Sequence, residues 1–125
     1  MTEHLRSSIE LLDDCGTILG LIRPSGRCDS VEFIQGLQKR FQARYQRYLE
    51  YLRDGTPIKS PENYRQLRRE SSGLVVAELK ADKYRLYLVN AGIYWYATHG
   101  RDKPKDNRVP AEIEKALDIF RECGH

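Results

Sequence analysis

Seven bases, Lys80, Lys83, Arg85, Arg101, Lys103, Lys105 and Arg108, fall within one stretch that holds only three acids, Asp82, Asp102 and Asp106. The same stretch carries Tyr87, Tyr94, Tyr96 and His99. Side chains of these types can cut a phosphodiester without a metal. RNA cleavage needs a group that deprotonates the 2′-hydroxyl, cations that hold the charge growing on the phosphorane, and an acid that protonates the leaving oxygen. Lysines crowded by other cations lose basicity and become able to move protons, and arginine grips phosphate oxygens through a planar fork of donors. Tyrosines such as Tyr87, Tyr94 or Tyr96 can stack on splayed bases.

On a strand through residues 83–88, Lys83, Arg85 and Tyr87 share one face while Tyr84, Leu86 and Leu88 take the other. One face is then basic and the other apolar. Most charged strand faces are only solvated. Here the loop "THGRDKPK" adds His99, Arg101, Lys103 and Lys105 where the strands end, so strand-borne and loop-borne bases can meet at one concave edge. On this facing Arg85→Ala should leave the fold intact and Leu86→Asp should unfold it.

Other chemistry-bearing residues offer less. His99 has no His, Cys or carboxylate at ligand spacing, so no metal is expected; it reads either as a structural residue at a strand end or as a base tunable to neutral pH. Tyr45, Tyr48 and Tyr51 fall on a helix and read as core and boundary residues. Cys15, Cys28 and Cys123 are odd in number and widely spaced, without a CxxC pair, which suits a reducing compartment better than a disulfide framework or zinc array. No phosphate-cradling glycine loop appears, "GLIRPSG" included, so nucleotide-driven chemistry is set aside and no cofactor is expected.

The elements that must position these groups follow from periodicity. Residues 1–28 include "IELLDDCGTILGLI", which reads as a strand pair turning at Asp14 to Gly16, with a short helix as the alternative. Asp29 and Ser30 are capping candidates for a helical region that closes at Asp54 and Gly55, with Ile34, Leu37, Phe41, Tyr45 and Leu52 on one stripe. Gly36 allows this region to be one long helix or a hairpin broken near Lys39. Alternation then sets in: Leu74 and Val76, then Leu79, Tyr84, Leu86 and Leu88, with Asn90, Ala91 and Gly92 as a turn, predicting an antiparallel meander. Pro110, followed by Ile113, Ala116, Leu117 and Phe120, predicts a C-terminal helix ending at Gly124.

With 125 residues, the chain has room for one domain, residues 1–125, in which 1–28 form an added element or strand pair. Lys and Arg number 21 against 18 Asp and Glu, a net charge of +3, so distribution carries the information. The start "MTEHLRSSIELLDD" lacks the pattern of a secretion signal, and no apolar run reaches membrane-spanning length, so a cytoplasmic protein without membrane association is expected.

Three quotations carry a family likeness. They are "DSVEFIQGLQKRFQARYQRYLEYLRDG", then "YRQLRRESSGLVVAELKADKYRLYLV" with Glu78, Leu79, Lys80, Tyr84 and Arg85, then "IYWYATHGRDKPKDNRVPAEIEKALDIF" with His99, Gly100, Lys103, Lys105, Pro110 and Ala116. From Asp29 onward, over roughly three quarters of the chain, their order resembles the RelE/ParE superfamily of bacterial toxins, most closely its HigB-like, phage-derived branch. The resemblance implies an α+β, RelE-like fold in which an N-terminal helical hairpin packs on a curved antiparallel sheet with a C-terminal helix. It implies a metal-independent endoribonuclease that cleaves mRNA on the ribosome, with the ribosome, mRNA and a cognate antitoxin protein as partners. By the same resemblance the catalytic set is Arg85, Lys80, His99, Lys103 and Lys105: Arg85 on the transition-state phosphate, Lys80 where the family usually has arginine, Lys103 and Lys105 holding phosphates or sharing proton transfer, and His99 at the cleft edge. Lys83, Tyr87, Arg101 and Arg108 would bind RNA. Some members end in a catalytic tyrosine or histidine, a place that His125 would take. The loop departs from the family pattern of adjacent lysines after a glycine and an aromatic, since Pro104 separates Lys103 from Lys105 and Arg101 replaces the aromatic. The competing readings are a ParE-like binding toxin that inhibits a topoisomerase, and an inactive prophage-derived relic of the fold.

Overall fold

A computed structural model describes residues 7–13 and 15–124. Its elements run β1 (Ser8–Glu10), β2 (Ile18–Leu21), α1 (Asp29–Gln35), α2 (Lys39–Asp54), β3 (Tyr64–Arg69), β4 (Val75–Ala81), β5 (Tyr84–Ala91), β6 (Tyr94–Asp102), a 3-10 turn at Asp106–Arg108 and α3 (Val109–Glu122). All six strands join one sheet in the order β1-β2-β6-β5-β4-β3. The expected meander is present as β3 to β6, each antiparallel to the next.

The class is α+β, but the arrangement expected from the resemblance is not what forms. The N-terminal region is strand: β1 and β2 pair antiparallel, and the helices come only after them. The sheet is mixed, because β2 lies parallel to β6, with Ile18 opposite Trp95 and Gly20 opposite Ala97. The physical reason lies in "ILGL", whose Ile18, Gly20 and Leu21 are buried, so that the strand needs cover on both faces and takes an interior place. Asp14, in the expected turn, lies outside the described residues, as does His125.

The helical region breaks at Gly36, as the hairpin alternative required. Its N–H donates to the Glu32 carbonyl, the Leu37 N–H donates to the Ile34 carbonyl, and Gln38 turns to extended backbone before α2 begins. Neither Asp29 nor Ser30 caps α1, since Cys28 occupies that position and Asp29 instead pairs with Arg23. Gly55, at φ 71°, ends α2 in the left-handed region, which lets the following Thr56 N–H donate to the Tyr51 carbonyl at 2.9 Å.

Helices cover both faces of the sheet. On one, Phe41, Tyr45, Tyr48 and Leu49 of α2 pack with Leu79, Ala81, Leu86, Leu88 and Ala97. On the other, Ile113, Ala116, Leu117 and Phe120 of α3 pack with Val76, Tyr87, Val89 and Tyr96. The face expected to be basic is therefore mostly core, and only its end toward the β4–β5 turn carries charge. Among the described residues no helix is long and apolar enough to cross a membrane.

Candidate functional site

Register decides which polar side chains meet. Lys80 stands opposite Arg85, which stands opposite Arg101; one row further in, Glu78 stands opposite Tyr87, and Tyr87 opposite His99. Directly opposed residues share a face, so these two rows lie on the α3 side of the sheet. β3 places Arg65 opposite Glu78. After β6 the chain folds back, with the Lys103 N–H donating to the Lys83 carbonyl at 2.7 Å. Arg65, Glu78, Lys80, Arg85 and Lys103 thus line one cavity of about 80 Å³, closed by Pro104, Asp106 and Val109. A space of this size, walled by cations, admits a small anionic group such as a phosphate.

Glu78 is the anchor of the cluster. Only 5% exposed, it has Arg85 Nε 3.8 Å from one carboxylate oxygen and Arg65 Nε 4.0 Å from the other. Arg85 is itself 8% exposed, and its Nη1 donates to the carbonyls of Asp82 and Tyr84, both at 2.8 Å. Those bonds tie the guanidinium across a turn in which Asp82 adopts φ 57°. Arg85 is consequently part of the hairpin's structure as well as a wall of the cavity. Burial pushes the Lys80 ammonium below its ordinary value; Glu78 opposes that push, and Arg85, Arg65 and Lys103 reinforce it.

His99 is held apart from this cavity. It is 2% exposed, its ring stacked 4.7 Å from that of Tyr87, with Nδ1 3.0 Å from the Thr98 hydroxyl and Nε2 2.9 Å from Glu112 Oε1. Burial lowers its pKa to about 4 against the favourable pull of Glu112. The ring is therefore neutral near pH 7, with Nε2–H donating to the carboxylate, while Nδ1 and the Tyr87 carbonyl, 3.0 and 3.2 Å from the Thr98 hydroxyl, compete for its one proton. Burial opposes ionisation of Glu112, but hydrogen bonds from His99 and from Arg101 Nη1, 2.9 Å from Oε2, outweigh it and leave the carboxyl below its usual range. Buried Thr98, His99 and Glu112, with the exposed Arg101, form a polar chain that fastens β6 to the first turn of α3.

The structure brings together Lys80, Arg85 and Lys103 of the expected catalytic set and leaves His99 and Lys105 outside the cavity. Pro104 is buried between the two lysines, both exposed, of which only Lys103 lines the cavity. Of the expected RNA-binding residues, Tyr87 is fully buried and cannot stack on a base; its hydroxyl, among the described residues, has no hydrogen-bond partner. Arg101 is held by Glu112, Arg108 is exposed where α3 begins, and Lys83 is exposed in the turn with its ammonium 5.5 Å from the Tyr84 ring centre. Tyr94 and Tyr96 stack on one another at the other end of the β5–β6 ladder. Arg65 and Glu78 were not singled out as site residues by sequence reasoning. Alternation in β3 and β4 gives each a face, but only the inter-strand register sets them opposite one another. No protein-family model, no curated protein and no solved structure matches this chain.

Proposed function

We propose that this chain cleaves RNA without a metal, holding the scissile phosphate among Arg65, Lys80, Arg85 and Lys103. The observation that carries the reading is the convergence of four cations, from β3, β4, β5 and the segment after β6, on one phosphate-sized cavity around a buried carboxylate. In such a cleavage the 2′-oxygen attacks phosphorus, the bond from phosphorus to the 5′-oxygen breaks, and a cyclic phosphate and a free hydroxyl result. Lys80, whose charge is disfavoured by burial and by its cationic neighbours, is suited in its neutral form to take the 2′-hydroxyl proton. The Lys103 ammonium, exposed at the mouth, is suited to protonate the leaving oxygen. Arg85 and Arg65 stabilise the charge on the non-bridging oxygens, with Glu78 fixing their side chains. The residue order that resembles the RelE/ParE toxins supports mRNA on the ribosome as the substrate and a cognate antitoxin as the restraint.

Brief induction in bacteria, with primer-extension mapping of mRNA and growth scored together, tests this. Translation-dependent breaks are expected with the natural chain and should be lost in Lys80→Gln and in Lys103→Ala. Growth arrest without breaks, or breaks that persist in both variants, would refute it.

A further inference from the structure

The outer face of α2 carries Arg40 and Arg44, four residues apart and so on one stripe, about 6 Å apart along the axis. Both guanidinium groups sit over Phe41, at 4.6 and 6.0 Å from its ring centre. Phe41 meets Tyr84 edge-on at 5.1 Å, and Lys83 lies over the far side of that contact, 5.5 Å from Tyr84. The same cations connect to the cavity. Arg44 lies near the Tyr48 side chain, whose hydroxyl donates to the Lys80 carbonyl at 2.9 Å. The Lys83 carbonyl accepts the Lys103 N–H.

Two things separate this stripe from an ordinary solvated helix face. First, Arg23, Arg27, Arg53, Arg68 and Arg101 each hold a carboxylate, whereas among the described residues Arg40, Arg44 and Lys83, like Arg47 on the same helix and Arg69 and Arg108 elsewhere, have none. Second, an arginine lying over an aromatic ring keeps its stem fixed while its N–H fork faces outward. Of the nearby acids, Asp82 and Asp102 lie at the strand ends and not on the helix stripe.

Resting on the nuclease reading above, we infer that the RNA strand continues from the cavity over the Asp82–Lys83 turn and along α2, with successive phosphates on Lys83, Arg40 and Arg44. A strand of repeating negative charge suits a row of exposed cations that, among the described residues, hold no carboxylate, and it reaches them round the β4–β5 turn, since the cavity lies on the α3 side of the sheet and α2 covers the other. The row also gives the site a direction, since RNA leaves it toward α2.

The test uses 2′-O-methyl RNA, which cannot form the attacking oxyanion, and reads binding apart from cleavage. Fluorescence anisotropy compares a tetranucleotide with a dodecanucleotide on the natural chain and on Arg40→Gln/Arg44→Gln, whose fold is checked by circular dichroism. The dodecanucleotide should bind the natural chain more tightly. In the double variant that advantage should disappear and the slope of log affinity against log salt should fall by about 1.4, two single-strand phosphate contacts. Tetranucleotide binding should not change, and Arg40→Lys/Arg44→Lys should keep the slope. An unchanged length advantage in the Gln variant overturns the inference, as does an acidic peptide of equal charge that competes as well as RNA. Translation-dependent mRNA breaks after induction in bacteria separate the two readings. A length effect on α2 with no such breaks sinks the nuclease and leaves the track; breaks with no length effect do the reverse.

Discussion

The neutrality of His99 makes a prediction with a definite sign. If burial wins over Glu112, the folded chain holds the imidazole near pKa 4 while the unfolded chain has it near 6.5. As pH falls the unfolded state then takes up the proton first, so the stability that His99 contributes is complete above pH 6.5 and is lost toward pH 4. At about 1.4 kcal/mol per pH unit, the loss from this residue between pH 7 and pH 5 comes to about 2 kcal/mol. That window lies above the range in which Glu112, held low by its hydrogen bonds, would add to the loss. Urea unfolding at fixed salt across pH 5–7 measures it. His99→Gln, which can still donate to Glu112, should be nearly flat where the natural chain slopes. Had Glu112 won, His99 would be an imidazolium with a raised pKa, and stability would instead fall as pH rose. A flat natural chain, or a His99 ring titrating at or above 6.5 by NMR, refutes the reasoning. Because the ring is turned away from the cavity, His99→Gln should also retain RNA cleavage within a few-fold at pH 7.5.

Three further outcomes are expected. Arg85→Ala should cost about 2–4 kcal/mol in urea unfolding, because it removes two charge-assisted bonds to carbonyls and leaves buried Glu78 with Arg65 alone; adding Glu78→Gln should recover part of it, and a loss below about 0.5 kcal/mol would show that the turn does not depend on the guanidinium. Leu86→Asp, at a fully buried position on the α2 side, should cost several kcal/mol and abolish the cooperative melt, whereas a folded variant would overturn the facing of β5. Gly100→Ala would put its Cβ inside the Phe33 ring, so a loss of about 1–3 kcal/mol is expected, relieved by Phe33→Leu in the same chain; equal stability of Gly100→Ala and the natural chain would contradict the packing of α1 on β6.

The meander and the C-terminal helix were legible because each depends on local signals, period-two alternation and proline at a first turn, whereas the choice between one long helix and a hairpin broken near Lys39 was open in the sequence and is decided by the break at Gly36. The parallel place of β2 was not, since "ILGL" states only that the strand is buried and not which neighbour it takes. The facing of Arg85 against Leu86 was also legible, yet its meaning changed once α3 covered that side. Arg85 is as buried as a core residue and braces its own turn, so removing it tests the fold before it tests chemistry.

That dual role bears on how the site can work. A cation free in solvent loses orientation whenever it is not in contact with its ligand, whereas Arg85 keeps its direction through two carbonyls and Glu78. Preorganised charge of this kind stabilises a transition state without reorienting during the reaction. Lys103 contributes from the other side as an exposed residue that lines the cavity, whereas Lys105, beyond the buried Pro104, does not line it. The expected lysine pair is thus divided, which makes Lys103, not Lys105, the residue whose loss should silence the cavity. Lys105→Ala retaining the cleavage pattern while Lys103→Ala loses it would support this division of labour; the opposite result would require the loop to move in the presence of RNA.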